Sequence, residues 1–139
     1  MSWPEKRALQ IVVAAASLVP VGAGAAGVLL GPRMLGPGAV GSADLDSHFR
    51  YLSGLLLAIG IGFASTIPRI ETHRGRFGLL SGLVVVGGLG RLLSLLLVGA
   101  ASPAMAAALV MELLVTPGLA VWQRRVAGQA VGSRAAAVR

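Results

Sequence analysis

Cysteine is absent from this chain of 139 residues, which excludes disulfides, thiolate metal sites and a cysteine nucleophile. Charged residues make up only 12% of the chain, about half of the roughly 25% found in soluble domains. Aromatic residues, at 4%, are too few to favour a pocket around a large planar cofactor. The HExxH, CxxC, GxSxG and P-loop patterns of familiar catalytic sites are also missing. We therefore expect no cofactor and no metal, and no motif indicates an enzyme.

The chain has instead long blocks of apolar sequence. It is 55% hydrophobic, with a mean hydropathy of +0.82. A helix needs about 20 apolar residues to cross roughly 30 Å of hydrocarbon, and four blocks reach that length: about 8–30, 49–67, 77–98 and 103–122. The connections between them are short. The sequence therefore predicts an all-α, antiparallel bundle of four transmembrane helices as a single domain over residues 1–126, followed by a basic tail over 127–139.

The net charge of +7 is distributed unevenly among the connections. If the four blocks alternate in direction, the side with few basic residues has only Arg33 and Arg50. The basic residues on the other side are Lys6, Arg7, Arg69, Arg74, Arg76, Arg124, Arg125, Arg134 and Arg139. This positive-inside pattern predicts that both termini lie in the cytoplasm. The basic excess thus indicates topology and contact with membrane lipids, and a nucleic-acid partner is not expected.

Two charged residues lie inside apolar blocks, where charge is costly and often functional. Arg91 precedes the end of the third block at Gly99 by eight residues, about 12 Å of helical rise. Glu112 follows the start of the fourth block at Pro103 by nine residues, about 13–14 Å. Because these blocks are consecutive and antiparallel in the predicted bundle, the two side chains are expected at the same depth. A direct ion pair between Arg91 and Glu112 is therefore predicted.

Other polar residues fall in the same predicted outer half of the membrane. Asp46 and Arg50 are four positions apart and can pair on one helix surface. Ser94 lies three residues after Arg91, and His48 is close to Arg50 in sequence. These positions predict one polar cluster, formed by Asp46, His48, Arg50, Arg91, Ser94 and Glu112.

Two interpretations of this cluster remain open. The Arg91–Glu112 pair is either a clamp that fixes helix register or part of a pocket for a small polar or anionic ligand. The leading function is therefore non-enzymatic: a small membrane protein that binds a lipid or another small ligand, or an accessory subunit of a larger membrane complex. The alternative is a membrane-embedded enzyme or a small transporter that uses the same site. Glycines at helix-packing spacing also make a homo-oligomer plausible.

Three segments carry a family resemblance: GRLLSLLLVGAASP at residues 90–103, MELLV at 111–115 and HFRYLSGLLLAIGI at 48–61. They resemble the DUF4345 family of small bacterial four-helix membrane proteins, whose function is unknown. The resemblance implies a location in the bacterial inner membrane and makes Arg91 and Glu112 motif positions. The family often has an acidic residue in the turn before the proline. Here Val98 and Ala100 flank Gly99, so that acid is absent.

Overall fold

The chain folds mainly into helices in a computed structural model that describes residues 3–39, 41–99 and 102–137. Ala100 of the turn and Arg139 of the tail, both named above, lie outside the described residues. No strand occurs within the described part. The elements in chain order are α1 (Trp3–Leu30), two 3-10 turns (Gly31–Leu35 and Pro37–Ala39), α2 (Ala43–Thr66), a 3-10 turn (Ile67–Arg69), α3 (Arg74–Val98), α4 (Pro103–Val110), a π-helical segment (Met111–Val115) and α5 (Thr116–Ala137).

Four helices are long and apolar enough to cross a membrane: Pro4–Leu35, Ala43–Arg69, Arg74–Val98 and Pro103–Gly132. The last of these contains α4, the π-helical segment and the start of α5, which follow one another without a break. In the most apolar segment of each helix, only 11–22% of the residues are buried within the chain. Such outward-facing apolar surface is what lipid-exposed helices present. The helix also continues through the predicted tail as far as Ala137.

The helices divide into two compact units. The first, which we call the Arg91 unit, consists of Met1–Gln10 and Pro68–Arg139. The second, the Arg50 unit, consists of Ile11–Ile67. Helix α1 therefore contributes its first residues to the Arg91 unit and the rest to the Arg50 unit. Each predicted ion pair falls within one unit: Arg91 with Glu112 in the first, and Asp46 with Arg50 in the second.

In the Arg91 unit, the connection before α3 is held by buried side chains and two polar contacts. Gln123 of α5 is 1% exposed, and its Nε2 donates a hydrogen bond to the Ile70 carbonyl at 2.7 Å. Lys6 of α1 forms an ion pair with Glu71 at 2.9 Å. Ile70 and Phe77 are themselves 0% and 1% exposed. A buried amide needs such a partner because an unsatisfied one is costly, so these bonds fix the connection against α1 and α5.

In the Arg50 unit, α1 and α2 approach closely at small residues. A Cβ added to Gly24 would collide with the backbone of Leu57, and one added to Gly27 would collide with Ser53. Gly60 of α2 is crowded in the same way by the side chain and the backbone of Val21. Small residues let helix backbones come together in this manner. The two helices therefore share an interface that larger side chains would separate.

Candidate functional site

Arg91 of α3 and Glu112 of the π-helical segment form an ion pair with two parallel hydrogen bonds. Arg91 Nε donates to Glu112 Oε2 at 2.9 Å, and Arg91 Nη2 donates to Glu112 Oε1 at 3.0 Å. This bidentate geometry is the strong form of the arginine–carboxylate interaction. The side chains are 34% and 17% exposed. The Glu112 side chain is thus the more shielded of the two, while about a third of the Arg91 side chain remains accessible.

Gly88 lets α3 approach the segment that carries Glu112. A Cβ added at Gly88 would lie 2.8 Å from Glu112 Cβ and 2.8 Å from Leu113 Cδ2, closer than real side chains come. Gly88 precedes Arg91 by three residues, so both face the same side of α3. The absence of a side chain at Gly88 therefore allows Arg91 to form the ion pair with Glu112.

The segment Met111–Val115 is π-helical rather than α-helical. The backbone N–H of Thr116 donates to the Met111 carbonyl, five residues earlier, and Thr116 Oγ1 donates to the same carbonyl at 2.8 Å. Pro117 follows directly. A proline inside a helix lacks an N–H and clashes with the carbonyl four residues before it, here that of Leu113. Widening the preceding turn relieves that clash, and π-helical turns of this kind are frequent at functional sites.

The Nη1 group of Arg91 is only weakly satisfied. Its Nη1 contacts the Met105 sulfur of α4 at 2.8 Å, and a thioether is a weak acceptor. A guanidinium carries more N–H groups than the carboxylate and the sulfur engage. Arg91 is therefore held in position by Glu112 yet retains donor capacity towards a further acceptor.

Arg50 of α2 joins Asp46 to the end of α1. Its Nε and Nη2 donate to the two oxygens of Asp46 at 2.7 and 3.2 Å. Its Nη1 donates to the backbone carbonyls of Val28 and Leu29 at 2.6 and 3.1 Å. Carbonyls in the last turn of a helix lack partners within the helix and attract cations. Arg50 therefore caps α1 while remaining bound to the first turns of its own helix.

Gly31 makes room for this contact. Its φ is +62°, a left-handed conformation that favours glycine at helix ends. A Cβ there would lie 2.6 Å from Asp46 Oδ1 and 2.7 Å from Arg50 Nη2. A small cavity of about 70 Å³ borders the same carboxylate, lined by Pro32, Arg33, Gly41 and Asp46. Its size suits water rather than a larger ligand.

Two members of the predicted cluster do not join these pairs. Ser94 and His48 are exposed, and the side chain of neither hydrogen-bonds to Arg91, Arg50 or another residue that the structure describes. Among the described residues, no group of three or more His, Cys, Asp or Glu side chains is arranged to hold a metal ion. The full six-residue cluster would combine residues of both units, and it stays a prediction.

The sequence model of one family, described as a domain of unknown function (DUF4345), matches residues 8–123. The chain belongs to the DUF4345 family. This match confirms the resemblance seen in the sequence, and the matched residues include both ion pairs. No curated protein and no solved structure matches the chain. Since the family's description assigns no activity, membership in DUF4345 brings no reaction or ligand with it.

Several residues that shape the site of this DUF4345 chain are not evident from its sequence. Met105 gives no signal, because nothing in an alanine-rich segment marks it as a contact of Arg91. Gly88 is one of three glycines before Arg91, and the sequence does not distinguish it from Gly87 or Gly90. Thr116 and Pro117 could have indicated the π-helical segment, since a proline inside an apolar helix needs a local distortion.

Proposed function

We propose that this protein is a multi-pass membrane protein of the bacterial inner membrane, with antiparallel helices and both termini in the cytoplasm. The four apolar helices support the membrane assignment. The contacts of Gly24 with Leu57, and of Gly60 with Val21, support antiparallel packing of α1 and α2, because the residue number rises in one helix as it falls in the other. The uneven distribution of arginines supports the cytoplasmic location of the termini.

In its membrane-embedded part, the protein binds a small polar or anionic ligand, such as a lipid headgroup, at Arg91. The observation that carries this proposal is the Arg91 guanidinium, which Glu112 holds in place while its Nη1 is directed to a sulfur only, on a side chain that is 34% exposed. Large apolar side chains nearby in sequence, Leu93 and Val110, are 55% and 51% exposed. A ligand with a polar group and an apolar body would suit both features.

A non-enzymatic role fits the chemistry of the pair. The Glu112 carboxylate already accepts two charge-assisted hydrogen bonds, which makes it a poor general base. The same exposed apolar surface also suits an accessory subunit that packs against a partner helix, with Arg91 donating to a polar group of that partner. A membrane-embedded enzyme or an oligomeric transporter is the alternative, and native mass spectrometry separates these roles.

The test is native mass spectrometry of the protein purified in a mild detergent. We expect the wild type to retain a ligand mass that Arg91→Lys loses, because lysine keeps the charge but not the planar fork. Arg33→Lys is the matched control, since Arg33 is exposed and belongs to the other unit, and it should retain the ligand. A wild-type protein without any bound small molecule would contradict ligand binding.

The same spectra distinguish the remaining roles. A second polypeptide of defined mass, released by Arg91→Lys but not by Arg33→Lys, would favour the accessory-subunit role over the ligand. A defined multiple of the chain mass would identify the predicted homo-oligomer. If the wild type chemically converts a retained compound and the Glu112→Gln variant does not, the result would favour the enzyme role.

A further inference from the structure

A basic cavity lies at the start of α3 in the Arg91 unit, remote in sequence from the Arg91–Glu112 pair. It has a volume of about 450 Å³ and is lined by Arg74, Gly75, Gly78 and Arg124. No acidic side chain is among these lining residues. Both arginines are exposed, and the side chain of neither forms a hydrogen bond or ion pair with another residue that the structure describes. We call this feature the basic cavity.

The two glycines create the space. A Cβ added at Gly75 or Gly78 would meet no atom within 4 Å, so the first turns of α3 leave room beside α5. Arg74 is the first residue of α3, where the helix dipole favours a negative charge. Arg124 reaches the same cavity from α5. Two guanidiniums around an open volume are suited to a phosphate group, which each can bind in a bidentate manner.

We propose that the basic cavity binds the phosphate group of an anionic phospholipid. Apolar surface on the same two helices favours a lipid over a soluble phosphate. Leu79, which follows Gly78, is 66% exposed, and Val121, three residues before Arg124, is 51% exposed. A phospholipid would use the arginines for its headgroup and this apolar surface for its acyl chains. Basic pockets between transmembrane helices on the cytoplasmic side recognise lipid headgroups in this way.

This inference rests on the membrane assignment proposed above but not on ligand binding at Arg91. The experiment uses the full chain in neutral phosphatidylcholine nanodiscs, titrated with phosphatidylglycerol and read by native mass spectrometry. The site variant is Arg74→Gln with Arg124→Gln. The matched control is Arg69→Gln with Arg125→Gln, which removes the same charge from exposed positions of the same unit. A third variant, Gly78→Leu, keeps both arginines but fills the cavity.

We expect the site variant to weaken phosphatidylglycerol binding about tenfold or more, since each arginine near an anionic headgroup contributes several-fold in affinity. The control should stay within about twofold of the wild type. Gly78→Leu should weaken binding as well, and it tests the site even if the double variant folds poorly, because leucine favours the helix more than glycine does. Binding at Arg91 should be unchanged in all three variants.

Three results would overturn the proposal. Equal weakening in the site variant and the control would indicate general attraction between a basic surface and anionic lipid. Full binding in Gly78→Leu would show that the cavity is not occupied. If inorganic phosphate occupies the cavity as strongly as phosphatidylglycerol does, and this binding does not depend on lipid, the cavity would be assigned to a soluble phosphate compound instead of a lipid.

Discussion

The Arg91 guanidinium and the Glu112 carboxylate are joined by two hydrogen bonds of 2.9 and 3.0 Å, across 21 positions of sequence. Both charges lie within helices that are otherwise apolar enough to cross a membrane. The contact needs three local features: a glycine at position 88, a π-helical turn around Glu112, and the bidentate geometry of arginine. Each of these features can be removed separately.

Removal of one partner of the pair should destabilise the protein. Arg91→Ala or Glu112→Ala leaves one charge without its partner, which for a buried pair costs about 3–5 kcal/mol. We expect the lower end of that range because Arg91 is 34% exposed. The measurement is unfolding by a denaturing detergent, followed by circular dichroism. The double variant Arg91→Ala with Glu112→Ala should lose less stability than the two single variants added together. Purely additive losses would show that the pair is not coupled.

Gly88→Ala should push α3 away from the π-helical segment. Its Cβ would lie 2.8 Å from Glu112 Cβ, and overpacking of this kind costs roughly 1–3 kcal/mol. Gly87→Ala is the matched control, because a Cβ there meets nothing within 4 Å. We expect the control to be neutral or slightly more stable, since alanine favours a helix over glycine. Equal stability of the two variants in the same unfolding experiment would contradict the close approach at Gly88.

Pro117→Ala should weaken the coupling between Arg91 and Glu112. Without the proline ring, the segment Met111–Val115 can return to a regular α-helix. A π-helical turn holds about one residue more than an α-helical turn, so this change rotates the helix on one side of the turn by about 100° relative to the other side. The rotation moves Glu112 away from Arg91. The measurement is the Arg91–Glu112 double-mutant cycle repeated in the Pro117→Ala background. An unchanged coupling energy would show that the proline does not maintain the site.

Gly31→Ala should disturb the end of α1 and its cap by Arg50. Alanine at a φ of +62° costs on the order of 1–2 kcal/mol, and the added Cβ would also crowd the Asp46 carboxylate and the Arg50 guanidinium. Gly22→Ala within α1 is the control, because a Cβ there meets nothing within 4 Å. We expect hydrogen exchange at the amides near the end of α1 to accelerate in Gly31→Ala only. Equal exchange in both variants would contradict the role of Gly31.

The helical class of the protein could be predicted from composition and block length, because an apolar run of about 20 residues has few stable states other than a membrane-spanning helix. Helical rise placed Arg91 and Glu112 at similar distances from the turn that joins their helices, and the structure places their charged atoms 2.9 Å apart. A spacing of four residues sufficed to predict that Asp46 and Arg50 pair, because residues so separated are neighbours on a helix surface.

The remaining parts of the site depend on which helix faces meet, and no local pattern encodes this. Sequence spacing relates Arg50 to Asp46 but not to the carbonyls of Val28 and Leu29, which lie more than twenty positions away. The sequence likewise contains many glycines, and only packing shows that Gly88 admits Glu112 while Gly75 and Gly78 leave a cavity open.

By itself, therefore, the sequence determined the four apolar helices and the two charged positions within the apolar blocks, since these follow from local composition and periodicity. The resemblance of three segments indicated the family. Only the tertiary structure decided how Arg91 is oriented, that Met105 contacts it, that Arg50 caps α1, and that Arg74 and Arg124 line one cavity. The physical reason is that side-chain contacts between helices depend on close approach within a few ångströms, and that distance is set by the packing of residues distant in sequence.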